Sequence, residues 1–458
     1  MRSSCLKPSK SSADNIGVVD LFSGCGGFAL GFSHAGLDVA CGIDIDEAAV
    51  NTAAYNLHWR NNTEHSYVYG DIKEYNAGMF GIDHKSSDFI VIGGPPCQAY
   101  SRAGKGKLRS LGEHRVNLND ERGFLFEHFL RICLEFDARA VVMENVPEST
   151  NYGDFNVPEY VCETLEENGY KAVWTILNAA DYGVPQMRGR VFVIAIKGKR
   201  KKALELPKPT HRSDSTENVA ASGRFKRFSE SSERSHFVTP VSSRDASSIW
   251  VTVGEAISDL PQLFLNEKSK YRLYPPNLQL PYKCAPQNEF QFKMRTWHDS
   301  IQKQVTGHCF RKTDRDFPIF ARMKPRDDFR QASQIADAML GEACRIEGIV
   351  PDESNERYCK LKKNFVPPYD RTQFFEKWKR LDPGAPSHTL VAHLGTDTYS
   401  HIHPFEPRGI SLREAARLQS FPDSFLFQCS MSDAFKQIGN AVPPLLAKAL
   451  ADCLIQQI

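Results

Sequence analysis

Cys97 follows a corner that leaves its thiol little freedom. The apolar run Asp88-Phe89-Ile90-Val91-Ile92 reads as a buried strand, and Gly93-Gly94-Pro95-Pro96 follows it directly. Glycine lets the backbone turn sharply, and proline fixes φ and restricts the residue before it. A cysteine held rigidly at the carboxyl end of a strand has the placement of a nucleophile. The alternative is a tight corner that small residues merely fit. A second candidate site lies nearer the N-terminus, in Ser23-Gly24-Cys25-Gly26-Gly27. Such a turn lets a ligand approach the backbone at a helix N-terminus, and an acidic residue ending the next strand, Asp44, suits hydrogen bonding to a ribose. The spacing is not G-x-G-x-x-G, so a dinucleotide is not the first choice. A nucleoside ligand such as S-adenosylmethionine fits as well.

Alternating strands and helices must position these residues. Strands are predicted at 16–22, 38–43, 67–69, 88–92, 139–143, 170–177 and 191–196. Helices are predicted from about Phe28, over 46–57 and over 123–136, where Phe124, Phe126, Phe129, Leu130, Cys133 and Leu134 recur at helical spacing. This alternation predicts a doubly wound α/β sheet. After residue 198 the character changes. Residues 210–248 are serine-rich, charged and poor in apolar residues, which predicts a long loop. From Trp250 to about Ala392 no fold is readable. Ser411-Leu412-Arg413-Glu414 is a capping box that opens a helix, and a final helix runs from Pro444 to Leu454.

The bulk properties narrow the class. With 458 residues, 41% hydrophobic and 24% charged, the chain has room for two or three ordinary globular domains. No run reads as a membrane span, and Met1 to Asn15 has no apolar core of a secretory signal, so an intracellular protein is expected. The twelve cysteines show no paired spacing, so they read as free thiols and no metal site is expected. A net charge of +2 leaves any basic footprint local.

Six segments in one order resemble the cytosine-5 DNA methyltransferase family of the bacterial type. They are Asp20-Leu21-Phe22-Ser23-Gly24-Cys25-Gly26-Gly27, Gly93-Gly94-Pro95-Pro96-Cys97-Gln98, Glu144-Asn145-Val146, Gln186-Met187-Arg188-Gly189-Arg190, the run from Arg413 to Pro422, and Gln437-Ile438-Gly439-Asn440-Ala441-Val442-Pro443. The resemblance covers nearly the whole chain outside 200–380. It implies a Rossmann-like methyltransferase domain over 1–198, to which 432–458 returns. A smaller, mixed target-recognition domain with its hinge would span 199–431, inserted before the last helix, with DNA between the two.

The resemblance also implies roles. Cys97 would add to C6 of a cytosine, and Glu144, with a carboxyl raised by burial, would stabilise or protonate N3. Arg188 and Arg190 share one face of a strand and would hold the base O2, a phosphate or Glu144, with a surface ion pair as the alternative for Arg188. Phe22, Gly24, Gly26, Asp44, Asp71, Ile72 and Asn440 would bind S-adenosylmethionine, Asp71 at the adenine amino group and Ile72 on its ring. Asp71 also suits a plain Gly-Asp turn. The basic segment 98–122, with Ser101, Arg102, Lys105, Lys107 and Arg109, reads as a lid over double-stranded DNA, the target base being flipped out of the duplex. The expected protein is a monomer, needs no metal, and is paired with a restriction endonuclease or serves epigenetic marking. The alternatives are a transfer-RNA methyltransferase and a non-catalytic DNA-binding relative.

Overall fold

In the computed structural model, two compact units are built from residues 16–58, 66–83, 88–96, 125–151, 155–198, 202–214, 236–263, 275–297, 300–371, 377–395 and 400–458, the residues it describes. The first unit runs to Gly183, resumes over Arg188–Ile249, and takes back Ala441–Ile458. The second holds Val184–Met187 and Trp250–Asn440.

In the first unit, β1 (Ile16–Leu21), α1 (Gly27–His34), β2 (Asp38–Asp44), α2 (Glu47–Leu57), β3 (Ser66–Tyr69) and β4 (Asp88–Gly93) are followed by α3 (Leu125–Glu135), β5 (Ala140–Asn145), α4 (Val157–Glu167), β6 (Tyr170–Asn178) and β7 (Gly189–Lys197). The sheet order is β3-β2-β1-β4-β5-β7-β6. All pairings are parallel except those of β7, which runs antiparallel to both β5 and β6. Central strands read as continuous apolar runs because helices cover both faces. Val18, Val19, Ile90, Val91, Ile92, Val141 and Val142 are all buried. Helix α3 turns Phe126, Phe129, Leu130, Ile132 and Cys133 into the core from one stripe. Asp46 caps α2 by accepting from the Ala49 N–H at 3.3 Å.

Gly31 lets the end of the chain return to this unit. A Cβ there would lie 2.4 Å from the Ala447 Cβ and 2.6 Å from the Pro444 carbonyl oxygen. Only glycine therefore allows α1 to touch the last helix, Pro444–Ile455, backbone to backbone.

The exposed side of β6 is partly covered. Trp174 N–H donates to the His236 carbonyl at 2.9 Å, and Val238 N–H to the Trp174 carbonyl at 2.9 Å. The rings of Phe237 and Trp174 lie 4.7 Å apart. His236 fastens this segment, with Nδ1 2.6 Å from Glu159 and Nε2 3.2 Å from Glu166. Only an imidazolium donates from both nitrogens. Burial disfavours that charge, but the hydrogen bonds and charges of Glu159 and Glu166 outweigh it and raise the His236 pKa. Lys171, 3.0 Å from Glu166, adds a positive charge beside this pair. A raised histidine pKa stabilises fully below the unfolded value of about 6.5, and the stabilisation is lost as pH rises through the folded value. His236→Gln should therefore cost about 1 kcal/mol at pH 5.5 and much less at pH 9. Thermal unfolding of both proteins across that range checks it; a gap independent of pH would refute it.

The second unit contains α5 (Phe329–Glu347), α6 (Glu356–Phe365), α7 (Leu412–Leu418) and α8 (Met431–Asn440), with short two-residue strands. Phe310, Phe317, Phe320, Phe329, Trp378 and Ile402 form its core. By composition Met431–Ile455 is apolar and long enough to cross a membrane, which corrects the expectation that no run is. In the fold this stretch is two helices separated at Ala441–Pro443, and most of it is buried.

Candidate active site

The turn after β1 is built from strained backbone. Phe22, Gly24 and Gly26 have φ of 57°, 52° and 82°. Phe22 is the costly one, since a Cβ disfavours that region. Asp44, at the end of β2, holds the turn from the side. One carboxylate oxygen accepts from Gly24 N–H at 2.8 Å and the other from Asp46 N–H at 2.8 Å. A Cβ on Gly24 would meet nothing within 4 Å, so the turn faces open space.

Three residues here, Asp20, Ser23 and Ile45, have no role assigned from the sequence. Asp20 is fully buried, and its Oδ2 has no hydrogen-bond partner among the described residues; the same holds for the Ser23 hydroxyl. Burial and then the Asp44 charge push the Asp20 carboxyl well above the usual range, against a backbone bond from Ala29. Ile45, next to Asp44, is 68% exposed. This solvent-facing apolar side chain directly follows the carboxylate that braces the turn. Its only signal in the sequence is adjacency to Asp44. Asp71 caps the short turn Ile72–Glu74, accepting from Lys73 N–H at 3.1 Å, while Ile72 is buried among the core residues of the sheet. Open backbone at a helix N-terminus, a poised carboxylate and orphaned polar atoms fit a nucleoside-bearing cofactor.

The second cluster sits at the carboxyl ends of β4 and β5. Glu144 Oε1 lies 3.0 Å from Arg190 Nε on β7, and both side chains are nearly buried. Antiparallel pairing of β5 with β7 creates this meeting, setting Glu144 opposite Phe192. Arg188 is 1% exposed, so it is not a surface residue. Burial raises the Glu144 carboxyl, and Arg190 and Arg188 pull against that rise without cancelling it. Burial, with Arg190 adding repulsion, pushes the Arg188 guanidinium well below its usual range, while Glu144 opposes. Asn145 Nδ2 donates to the Pro95 carbonyl at 3.4 Å, and a Cβ on Gly94 would lie 3.2 Å from Glu144 Oε2. The corner that leads into Cys97 is thus held against Glu144. Cys97 itself and Ser101, Arg102, Lys105, Lys107 and Arg109 lie outside the described residues.

Of the remaining motif residues, Ala441 to Pro443 belong to the first unit, and Gln186, Met187, Arg413 to Pro422 and Gln437 to Asn440 to the second. Gln186 bonds there to the Leu418 carbonyl, the Gln419 side chain and Leu390 N–H, so the segment 186–190 is divided between the units. Asn440 is the last residue of α8. The charged residues from Arg408 to Asp423 are core, not surface. Arg408 meets both oxygens of Glu414 at 2.8 and 2.7 Å, and Arg417 meets Asp259 at 2.9 Å and Asp423 at 2.6 Å. Arg413 donates to the carbonyls of Thr306, Pro422 and Phe425. Buried charges persist only when paired and hydrogen-bonded. Glu414 also closes the capping box with Ser411. A cleft of about 330 Å³ in this unit, bordered by Ile257, Pro261, Phe405 and Glu406, contains none of the candidate residues.

The sequence model for C-5 cytosine-specific DNA methylases matches residues 16–456. A protein of Oceanobacillus iheyensis named as a type II methyltransferase is 51% identical, over 96% of this chain and 95% of that protein. The type II methyltransferase M.DdeI of Desulfomicrobium norvegicum is 32% identical, over 95% of this chain and 88% of its own. Among solved structures, a DNA modification methyltransferase encoded within an E. coli prophage shares the fold. Its TM-score is 0.61 at 23% identity, covering 96% of this chain and 99% of that one. The matched range takes in both the cofactor-type turn and the Glu144–Arg190 cluster, and so the chain belongs to the C-5 cytosine-specific DNA methylase family and is a DNA (cytosine-5) methyltransferase.

Proposed function

We propose that this chain methylates C5 of a cytosine turned out of duplex DNA, through a bond between Cys97 and C6. The observation that carries the reading is the carboxyl of Glu144, raised by burial, paired with Arg190 and set against the corner that leads into Cys97. The thiolate of Cys97 adds to C6, and the C5=C6 electrons move toward N3. Glu144 meets that charge at N3 and delivers its proton, while Arg190 holds the base O2. Arg188, fully buried beside them, orients the pair. Bound S-adenosylmethionine supplies an electrophilic methyl group for the nucleophilic C5. N3 gives its proton back to Glu144 as C5 takes the methyl group, and loss of the C5 proton to solvent then expels the Cys97 thiolate and restores the aromatic ring.

Phe22, Gly24, Gly26 and Asp44 would hold the methionine and ribose portions of the cofactor, and Asp71 the adenine amino group. Ile72 would pack on the adenine ring. Ser101, Arg102, Lys105, Lys107 and Arg109 would lie on DNA phosphates, which position a protein without specifying a site. Target recognition would reside within 199–431, since residues common to the reaction cannot encode one target. The protein would act as a monomer wherever the cell keeps its DNA, beside a restriction endonuclease of the same target.

Sequencing of bisulfite-converted DNA from cells expressing the chain tests this. One short motif should carry protected cytosines at nearly every copy. Protection confined to transfer RNA, or none at all, would refute the reading.

A further inference from the structure

Arg131 and Glu135, one turn apart on α3, reach out of their helix to a distant stretch of backbone. Arg131 Nη2 donates to the Tyr75 carbonyl at 2.8 Å and the Ile72 carbonyl at 3.1 Å. Its Nη1 donates to Glu135 Oε1 at 2.8 Å, and Glu135 Oε2 accepts from Ala77 N–H at 2.9 Å. Two side chains thus satisfy three backbone groups of the segment 72–77. Ile72 and Ala77 anchor the segment in the core, and Tyr75 packs against it. Its own turn holds two backbone bonds, Glu74 N–H to the Asp71 carbonyl at 3.0 Å and Tyr75 N–H to the Ile72 carbonyl at 3.3 Å. The Tyr75 ring lies under Gly70, where a Cβ would be 2.5 Å away. The planar fork of a guanidinium reaches two carbonyls and a carboxylate at once, which an ammonium on a flexible stem does not.

We propose that Arg131 and Glu135 are positioning residues for cofactor binding, holding the turn that presents Asp71 to the adenine amino group. This rests on the reading of Asp71 given above. Neither residue need touch the cofactor. The hydrogen bonds instead fix the turn before a ligand arrives, so less ordering is left to binding.

Calorimetry with S-adenosylhomocysteine and its inosyl counterpart, which lacks the amino group, tests both steps. The wild type should prefer the adenosyl compound by roughly tenfold or more, the difference made by one good hydrogen bond to a charged group. Asp71→Asn should abolish that preference. Arg131→Met and Glu135→Gln should lower it at least severalfold, Arg131→Lys should not restore it, and the KM for DNA should stay near wild type. If Asp71→Asn keeps the preference, the reading of Asp71 fails. If Asp71→Asn loses it while Arg131→Met and Glu135→Gln keep it, Asp71 stands and the positioning role is overturned. A fall in melting temperature with equal weakening for both ligands would mean a merely structural pair, and overturns the proposal too.

Discussion

Cys97→Ala is expected to lower methyl transfer by roughly 10⁴-fold or more, the scale seen when a covalent nucleophile is removed. Cofactor affinity should stay within a few-fold, because the turn at Phe22–Gly26 and its support from Asp44 are built from other strands. The corner at Gly93–Pro96 is held by the Asn145 side chain on the Pro95 carbonyl, independently of the thiol, so the substitution removes the thiol without loosening its approach. A complementary result should come from duplex DNA with 5-fluorocytosine at the target. Loss of the C5 substituent as a cation is possible for hydrogen and not for fluorine, so the bond between Cys97 and C6 should persist and survive denaturing electrophoresis. Wild-type turnover by Cys97→Ala, or trapping that persists in it, would remove Cys97 from the reaction.

Glu144→Gln should cost roughly 10²–10⁴-fold in the transfer rate, as expected for loss of a general acid. The amide keeps the shape and can still hydrogen-bond N3, but it cannot deliver a proton. Burial favours the neutral acid in Glu144, with Arg190 and Arg188 opposing. A raised carboxyl stays protonated below its shifted pKa and loses its proton as pH climbs through it. The wild-type rate should therefore decline on the alkaline side of that value, and Glu144→Gln should lack this decline. Single-turnover rates across pH 5–9 decide it. A variant altered only in cofactor affinity would place Glu144 outside the chemistry.

By itself the sequence determined the α/β class, because strand runs such as Phe89–Ile92 and helical stripes such as Phe126–Cys133 are local patterns that follow from which faces are buried. It also determined the helix start at Ser411, since a capping box is a contact across three residues. The family resemblance was legible for the same reason: each motif is a short contiguous run. Only the tertiary structure decided that β7 enters the sheet antiparallel, which sets Arg190 against Glu144 although they are far apart in the chain. Only it divided Gln186 from Arg188 between two units, and showed Arg413, Glu414 and Arg417 to be a buried ionic core where their charge suggests a surface. The long helix α5 was legible too, since Phe329, Ala332, Ala336, Leu340 and Cys344 recur at helical spacing after the Asp328–Gln331 capping box; the tertiary structure added that Trp378 and its neighbours pack against the start of that stripe. Strand direction, burial of charge and the hold of Arg131 on a turn far earlier in the chain depend on partners distant in sequence, and residue types alone do not name those partners.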